Sequence, residues 1–148
     1  MKDEDEFMRI ALGDDENPLK EDFRKLLVLW IASMKPEHRA RMDKRILDQF
    51  AADMPRDTAL LQLRDFVNNH TIDVKMGLQI YADSPAIDYH IEANKEASLW
   101  MGAIKAIDED WSYRLCDYCG KPFSFKSTKA QYCSHTCRNS ASRENRQK

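Results

Sequence analysis

The chain has 148 residues, of which 43% are hydrophobic and 32% charged, enough apolar material for a packed core and too much for a disordered chain. Its longest apolar run, Leu26–Ala32, is too short for a bilayer-spanning segment, and from the acidic start Met1-Lys2-Asp3-Glu4-Asp5-Glu6 no secretory leader is expected. The net charge of −2 hides an asymmetry: residues 1–113 carry 15 Lys+Arg against 23 Asp+Glu, whereas residues 114–148 carry 8 against 2 and hold all four cysteines.

That division predicts an acidic, mainly helical body over 1–113 and a basic, four-cysteine segment over 114–148. In the body, residues 1–17 are mostly charged and Gly13-Asp14-Asp15 stops any helix there, so this stretch is expected to be loosely held. Asn17-Pro18 predicts a helix start, followed by Leu19, Phe23, Leu26, Leu27, Trp30, Ile31 and Met34 at spacings of three and four. A second helix is expected from Pro36, with Met42, Ile46, Leu47, Phe50 and Ala51 as its buried stripe. Asp57 would cap a third, carrying Leu60, Leu61, Leu63, Phe66 and Val67.

The period then changes. Ile72, Val74, Met76, Leu78 and Ile80 alternate with Asp73, Lys75, Gly77 and Gln79, which predicts a short β element over about 71–81. A lone strand needs a partner, and Gly77 offers a bulge or a turn that folds the segment back on itself. Ser84-Pro85 predicts the start of a last body helix through Trp111, with Ala86, Tyr89, Ala93, Ala97, Trp100, Ile104 and Ile107 on one face. It runs almost directly into the cysteine segment, which predicts a stiff joint with tryptophans at the junction.

The cysteines read Cys116-x2-Cys119, thirteen residues, then Cys133-x3-Cys137. With no export signal the setting is expected to be cytoplasmic and reducing, where such pairs serve metal rather than disulfides. The spacing predicts one tetrahedral, structural Zn2+ held by Cys116, Cys119, Cys133 and Cys137, with no open position for catalysis. Gly120 relieves the turn at the first pair, and Cys133 and Cys137 are expected on one face of a helix whose first turn contains Ser134. Phe123, Phe125 and Tyr132 suit a small β-hairpin between the two pairs, which makes the segment treble-clef-like. His135 falls inside the second pair but is not needed as a ligand. About 35 residues cannot build a core alone, so metal binding should supply much of the folding free energy.

Phe123, Tyr132-Cys133-Ser134 and Cys137-Arg138-Asn139 together resemble the CGNR-type treble-clef zinc finger of bacterial transcription regulators. Those fingers carry a phenylalanine after the first pair, an aromatic before the third cysteine and a basic helix after the fourth. The resemblance implies a helical body with a short β segment, and a finger that contacts DNA. The first pair is shorter than is usual in that family, and Arg138 and Ser140 stand where its name-giving motif has Gly and Arg.

The charges of the segment fit such a role. Arg138, Asn139, Arg143, Arg146 and Lys148 lie on or beyond the ligand-bearing helix, and Asn139, Arg143 and Arg146 share a face at i, i+4 and i+7. Lys121, Lys126 and Lys129 add charge from the knuckle and hairpin. These residues are the candidate nucleic-acid contacts, with DNA expected before RNA, and arginine and asparagine are types that read guanine and adenine edges. One finger binds weakly, so a homodimer or a protein partner would have to add specificity. The competing expectation is a protein-interaction adaptor in which zinc only shapes a docking surface. No H-E-x-x-H, phosphate loop or nucleophile elbow occurs, so no enzymatic activity is expected.

Overall fold

A computed structural model describes residues 3–70, 74–80, 87–93, 95–125, 127 and 129–147, with side chains outside 3–4 and 74–93. The elements in order are α1 (Asp3–Leu12), α2 (Lys20–Ser33), α3 (Pro36–Arg39), α4 (Lys44–Gln49), α5 (Arg56–Asn69), β1 (Val74–Ile80), β2 (Ile87–Ala93), α6 (Lys95–Asp108), β3 (Tyr113–Leu115), β4 (Pro122–Ser124) and α7 (His135–Arg146). The fold is mainly helical with two small antiparallel hairpins, β1–β2 and β3–β4.

The N-terminal stretch is not loosely held. Phe7, Met8 and Ala11 are fully buried in α1, which packs against α6 and α2. The ring of Phe7 meets Phe23 at 6.1 Å, Trp30 at 6.1 Å and Tyr113 at 6.0 Å between centroids. The acidic run sits at the helix start, where the dipole favours it, so the charges that suggest a frayed end are compatible with a buried inner face. Gly13 closes α1 by donating its N–H to the Arg9 carbonyl at 2.8 Å, and any Cβ there would lie 2.6 Å from that oxygen.

Leu19 rather than Asn17 is the N-cap of α2, which begins at Lys20; Asn17 stands two residues earlier, its Oδ1 accepting the Leu19 N–H at 2.8 Å. Phe23, Leu26, Leu27, Trp30 and Ile31 then line the core. The single helix expected after Pro36 is two, because Asp43 interrupts it: its backbone N–H is drawn 3.0 Å to the Tyr113 carbonyl, and it restarts the chain as the N-cap of α4. In α5, Pro55 rather than Asp57 takes the cap position. Ala59 and Leu63 are buried there, while Leu60 (39% exposed) and Leu61 (54%), both expected in the core, face outward.

The β element is larger than expected. Val74–Ile80 is β1, and Ile87–Ala93, expected within a helix, is β2. They pair antiparallel in the register Val74↔Ala93 through Ile80↔Ile87, so Gly77 is neither bulge nor turn but lies mid-strand opposite His90. The expected cap at Ser84-Pro85 lies outside the described residues. α6 starts only at Lys95 and buries Ala97, Leu99, Trp100, Ala103 and Ala106. No helix among the described residues is long and apolar enough to cross a membrane.

Phe7→Ala would remove a ring that three other aromatics enclose. It is expected to cost about 3–5 kcal/mol in chemical denaturation; a frayed segment would lose almost nothing.

Candidate metal centre

β3 and β4 pair in the register Tyr113↔Ser124 to Leu115↔Pro122, and the Cys116–Cys119 knuckle forms their tip. The hairpin therefore straddles the first cysteine pair instead of lying between the two pairs as expected. Cys116 donates its N–H to the Lys121 carbonyl at 2.9 Å, and Gly120 donates to the Cys116 carbonyl at 2.9 Å. Gly120 has φ +76°, a left-handed conformation that glycine adopts without strain. Phe123 and Phe125 are buried against Cys116, with Ala130, Tyr132 and Cys137 closing the small core. Arg114 lies over the Phe125 ring and donates to the Ala130 carbonyl, tying the loop after β4 to β3.

Ser134 caps α7, its hydroxyl accepting the Cys137 N–H at 3.2 Å. Cys137 lies in the first helical turn, whereas Cys133 precedes the cap and stands off the helix on which it was expected. Both still reach one point. The four sulfurs all lie within 4.8 Å of one another. Cys133 Sγ is 3.6 Å from Cys119 Sγ and 3.6 Å from Cys137 Sγ. Four thiolates at about 2.3 Å around a tetrahedral zinc are about 3.8 Å apart, so the cluster already has the dimensions of a metal site. His135 is exposed at the start of α7 and is not part of the cluster.

The thiols differ sharply. Burial pushes the Cys116 thiol up, but N–H groups from Cys119, Cys133 and Tyr118 outweigh it and bring the thiol down to about 6. Burial and contact with the sulfurs of Cys119, Cys137 and Cys116 push Cys133 up to about 12. Burial likewise raises Cys119, against the Lys121 N–H that favours its thiolate. Crowded thiolates repel, so without a cation they cannot all ionise. A divalent metal removes that conflict, and the N-terminus of α7 adds positive potential at the same point.

A second polar constellation joins this centre to the body. Asp43, whose side chain is only 7% exposed, accepts the Leu115 N–H at 2.8 Å and the Arg45 N–H at 2.8 Å. Arg45 reaches Asp43 at 2.9 Å, the Leu115 carbonyl at 3.0 Å and Asp117 at 3.3 Å. Burial raises the Asp43 carboxyl, but the Arg45 guanidinium and the two N–H donors hold it below its ordinary value. Tyr113, the first residue of β3, is fully buried in the body core beside Phe7 and Trp30. The compositional boundary at residues 113/114 thus falls inside a strand shared by both parts. Nothing in cysteine spacing or periodicity marks Asp43 or Arg45; their role arises only when β3 arrives.

On α7, Cys137, Ser140 and Ala141 are partly buried, and Glu144 accepts a hydrogen bond from the Tyr118 hydroxyl at 3.0 Å. That carboxylate also pushes the Tyr118 phenol up. These residues form the inner face. Asn139, Arg143 and Arg146 lie opposite, Arg138 lies on the flank, and all four are exposed. Lys129 is exposed on the loop. Lys121 is exposed too, but it lines a cleft of about 560 Å³ with Glu6, Asp14, Asp15 and Glu16, apart from the α7 surface. Lys126 and Lys148 lie outside the described residues.

No family model matches the chain, and neither does any curated protein or solved structure. The four-cysteine cluster therefore stands on its own geometry.

Metal affinity is expected to fall as pH falls from 8 to 5, by at least about tenfold per unit, because protons compete with the metal for more than one thiolate; titration against a chromophoric chelator measures this. Asp43→Ala should lower the thermal midpoint of the body and weaken metal binding together, by about 1–3 kcal/mol of stability, since it strips the partner from the part-buried Leu115 N–H. A variant that changed only one of the two readouts would show the parts to be uncoupled.

Proposed function

We propose that Cys116, Cys119, Cys133 and Cys137 hold one structural Zn2+, and that the chain is a non-enzymatic, cytoplasmic protein whose finger contacts nucleic acid. Zinc suits the donor set: four sulfurs within 4.8 Å of one another, a tetrahedral preference they can meet, and no ligand position left over for substrate. The role closest to the residues is that of a bacterial transcription regulator or accessory factor of the CGNR-like treble-clef kind, bound to DNA rather than RNA.

One observation carries this reading. α7 buries no residue, although Cys137 in the cysteine cluster and the Tyr118–Glu144 hydrogen bond hold its inner face to the knuckle. A helix so anchored, with Asn139, Arg143 and Arg146 outward and its lone acid Glu144 drawn toward the knuckle, offers a rigid cationic surface to a phosphate backbone or groove. Lys121 sits beside the acidic 14–16 loop, so the footprint rests on α7 and its flank, with Lys129 as an outlying contact. Zinc here orders the surface and touches no reactant.

Binding to random duplex DNA, single-stranded DNA and RNA across a salt series tests the reading. Arg143→Ala combined with Arg146→Ala should weaken duplex binding with the metal retained, and should flatten the log–log salt slope by about 0.9 for each phosphate that the variant no longer neutralises. Absence of binding at low salt would favour a protein-docking adaptor built on the same metal-ordered surface.

A further inference from the structure

The β1–β2 hairpin forms a sheet of two strands, and among the described residues no third strand pairs with either outer edge. Isolated two-stranded hairpins are marginal in water, and an open edge is a template for another strand. From the observed register, Val74, Met76, Leu78 and Ile80 fall on one face with Ala93, Ile91, Tyr89 and Ile87. Lys75, Gly77 and Gln79 fall on the other, opposite Glu92, His90 and Asp88.

We infer that the outer edge of β1 is a dimerisation edge, where a second copy of the chain adds its own β1 antiparallel about a two-fold axis at Gly77. The charge pattern selects this edge and this occupant. Antiparallel self-pairing of Val74–Ile80 about Gly77 matches Val74 with Ile80, Met76 with Leu78 and Lys75 with Gln79 of the partner subunit, so apolar meets apolar and no like charges meet. The same operation on β2, about His90, sets Asp88 against Glu92 of the partner subunit, a like-charge pair that opposes association. Centring β1 on Lys75 instead would oppose two ammonium groups. The Gly77 register is the one that pairs all seven residues. The product is a four-stranded sheet in the order β2-β1-β1-β2 with one continuous apolar face. It is an isologous, closed contact, and it places two fingers in one particle.

The test uses the metal-loaded full-length chain. Sedimentation velocity over a concentration series should show a monomer–dimer equilibrium. Gln79→Lys sets an ammonium opposite Lys75 of the partner subunit, twice per dimer, and should weaken dimerisation roughly tenfold. Within its own chain the substitution stands beside Asp88 and favours the hairpin, so an unchanged circular dichroism spectrum separates weakened association from unfolding. Gly77→Cys should give an intermolecular disulfide between the two substituted positions, mapped by mass spectrometry, because residues paired across the axis lie about 5 Å apart. His90→Cys should not, since three strand spacings, about 14 Å, would separate the pair. A chain that stays monomeric throughout, a dimer indifferent to Gln79→Lys, or cross-linking at position 90 in place of 77 would each overturn the assignment.

Discussion

The short strand β3 holds the molecule together, because it leads directly from one core into the other. Tyr113 is fully buried among Phe7 and Trp30 in the helical body, and Cys116, one residue past the strand, is buried among Phe123 and Phe125 in the finger. Between them Asp43 takes the place of a neighbouring strand. Its N–H bonds the Tyr113 carbonyl and its carboxylate accepts the Leu115 N–H, while Met42 Sδ accepts the Tyr113 N–H and Arg45 donates to the Leu115 carbonyl, so the body satisfies the backbone groups of β3 that β4 leaves open. Breaking the α3–α4 helix at residue 43 is the local cost of that arrangement. Arg45 compensates by bridging Asp43, Leu115 and Asp117.

This joint explains how so small a finger keeps a defined shape. Its buried apolar residues are few, and α7 adds none. Order therefore enters from the body, which fixes the strand leading into Cys116, and a metal held by the four sulfurs would add to it by tying Cys133 and Cys137 to the knuckle. Within the knuckle, backbone N–H groups favour the thiolate of Cys116 most strongly and that of Cys119 in part, while burial and neighbouring sulfurs push Cys133 up.

Much of this is legible in the residues themselves. The cysteine spacing identifies the four sulfurs that converge, and apolar periodicity places α2 and most of α5 and α6. The failures have physical causes. Ile87, Tyr89, Ile91 and Ala93 alternate with Asp88, His90 and Glu92, a period of two, yet Tyr89, Ala93 and Ala97 also fit a spacing of four, and Ser84-Pro85 tips a purely local reading toward helix. The charge density of residues 1–6 conceals that Phe7, Met8 and Ala11 share a helical face, and only packing against α6 shows it to be core. Leu60 and Leu61 have the right spacing for burial but lie on the side of α5 turned away from α2. Asp43 has no spacing signature at all, since its partner is more than 70 residues distant.

The metal site is not equally enclosed on all sides. Cys116 is buried beneath the knuckle, Cys137 is half-covered by its helix, and Cys119 and Cys133 are open to solvent, with Cys119 lining the cleft beside the acidic loop. A metal held by these four sulfurs would exchange through that one edge, where an incoming ligand can replace two sulfurs in turn while the other two keep their hold. The lifetime of such an ion would be governed by the chemistry of two exposed thiolates and by whatever shields them, rather than by the depth of the site as a whole.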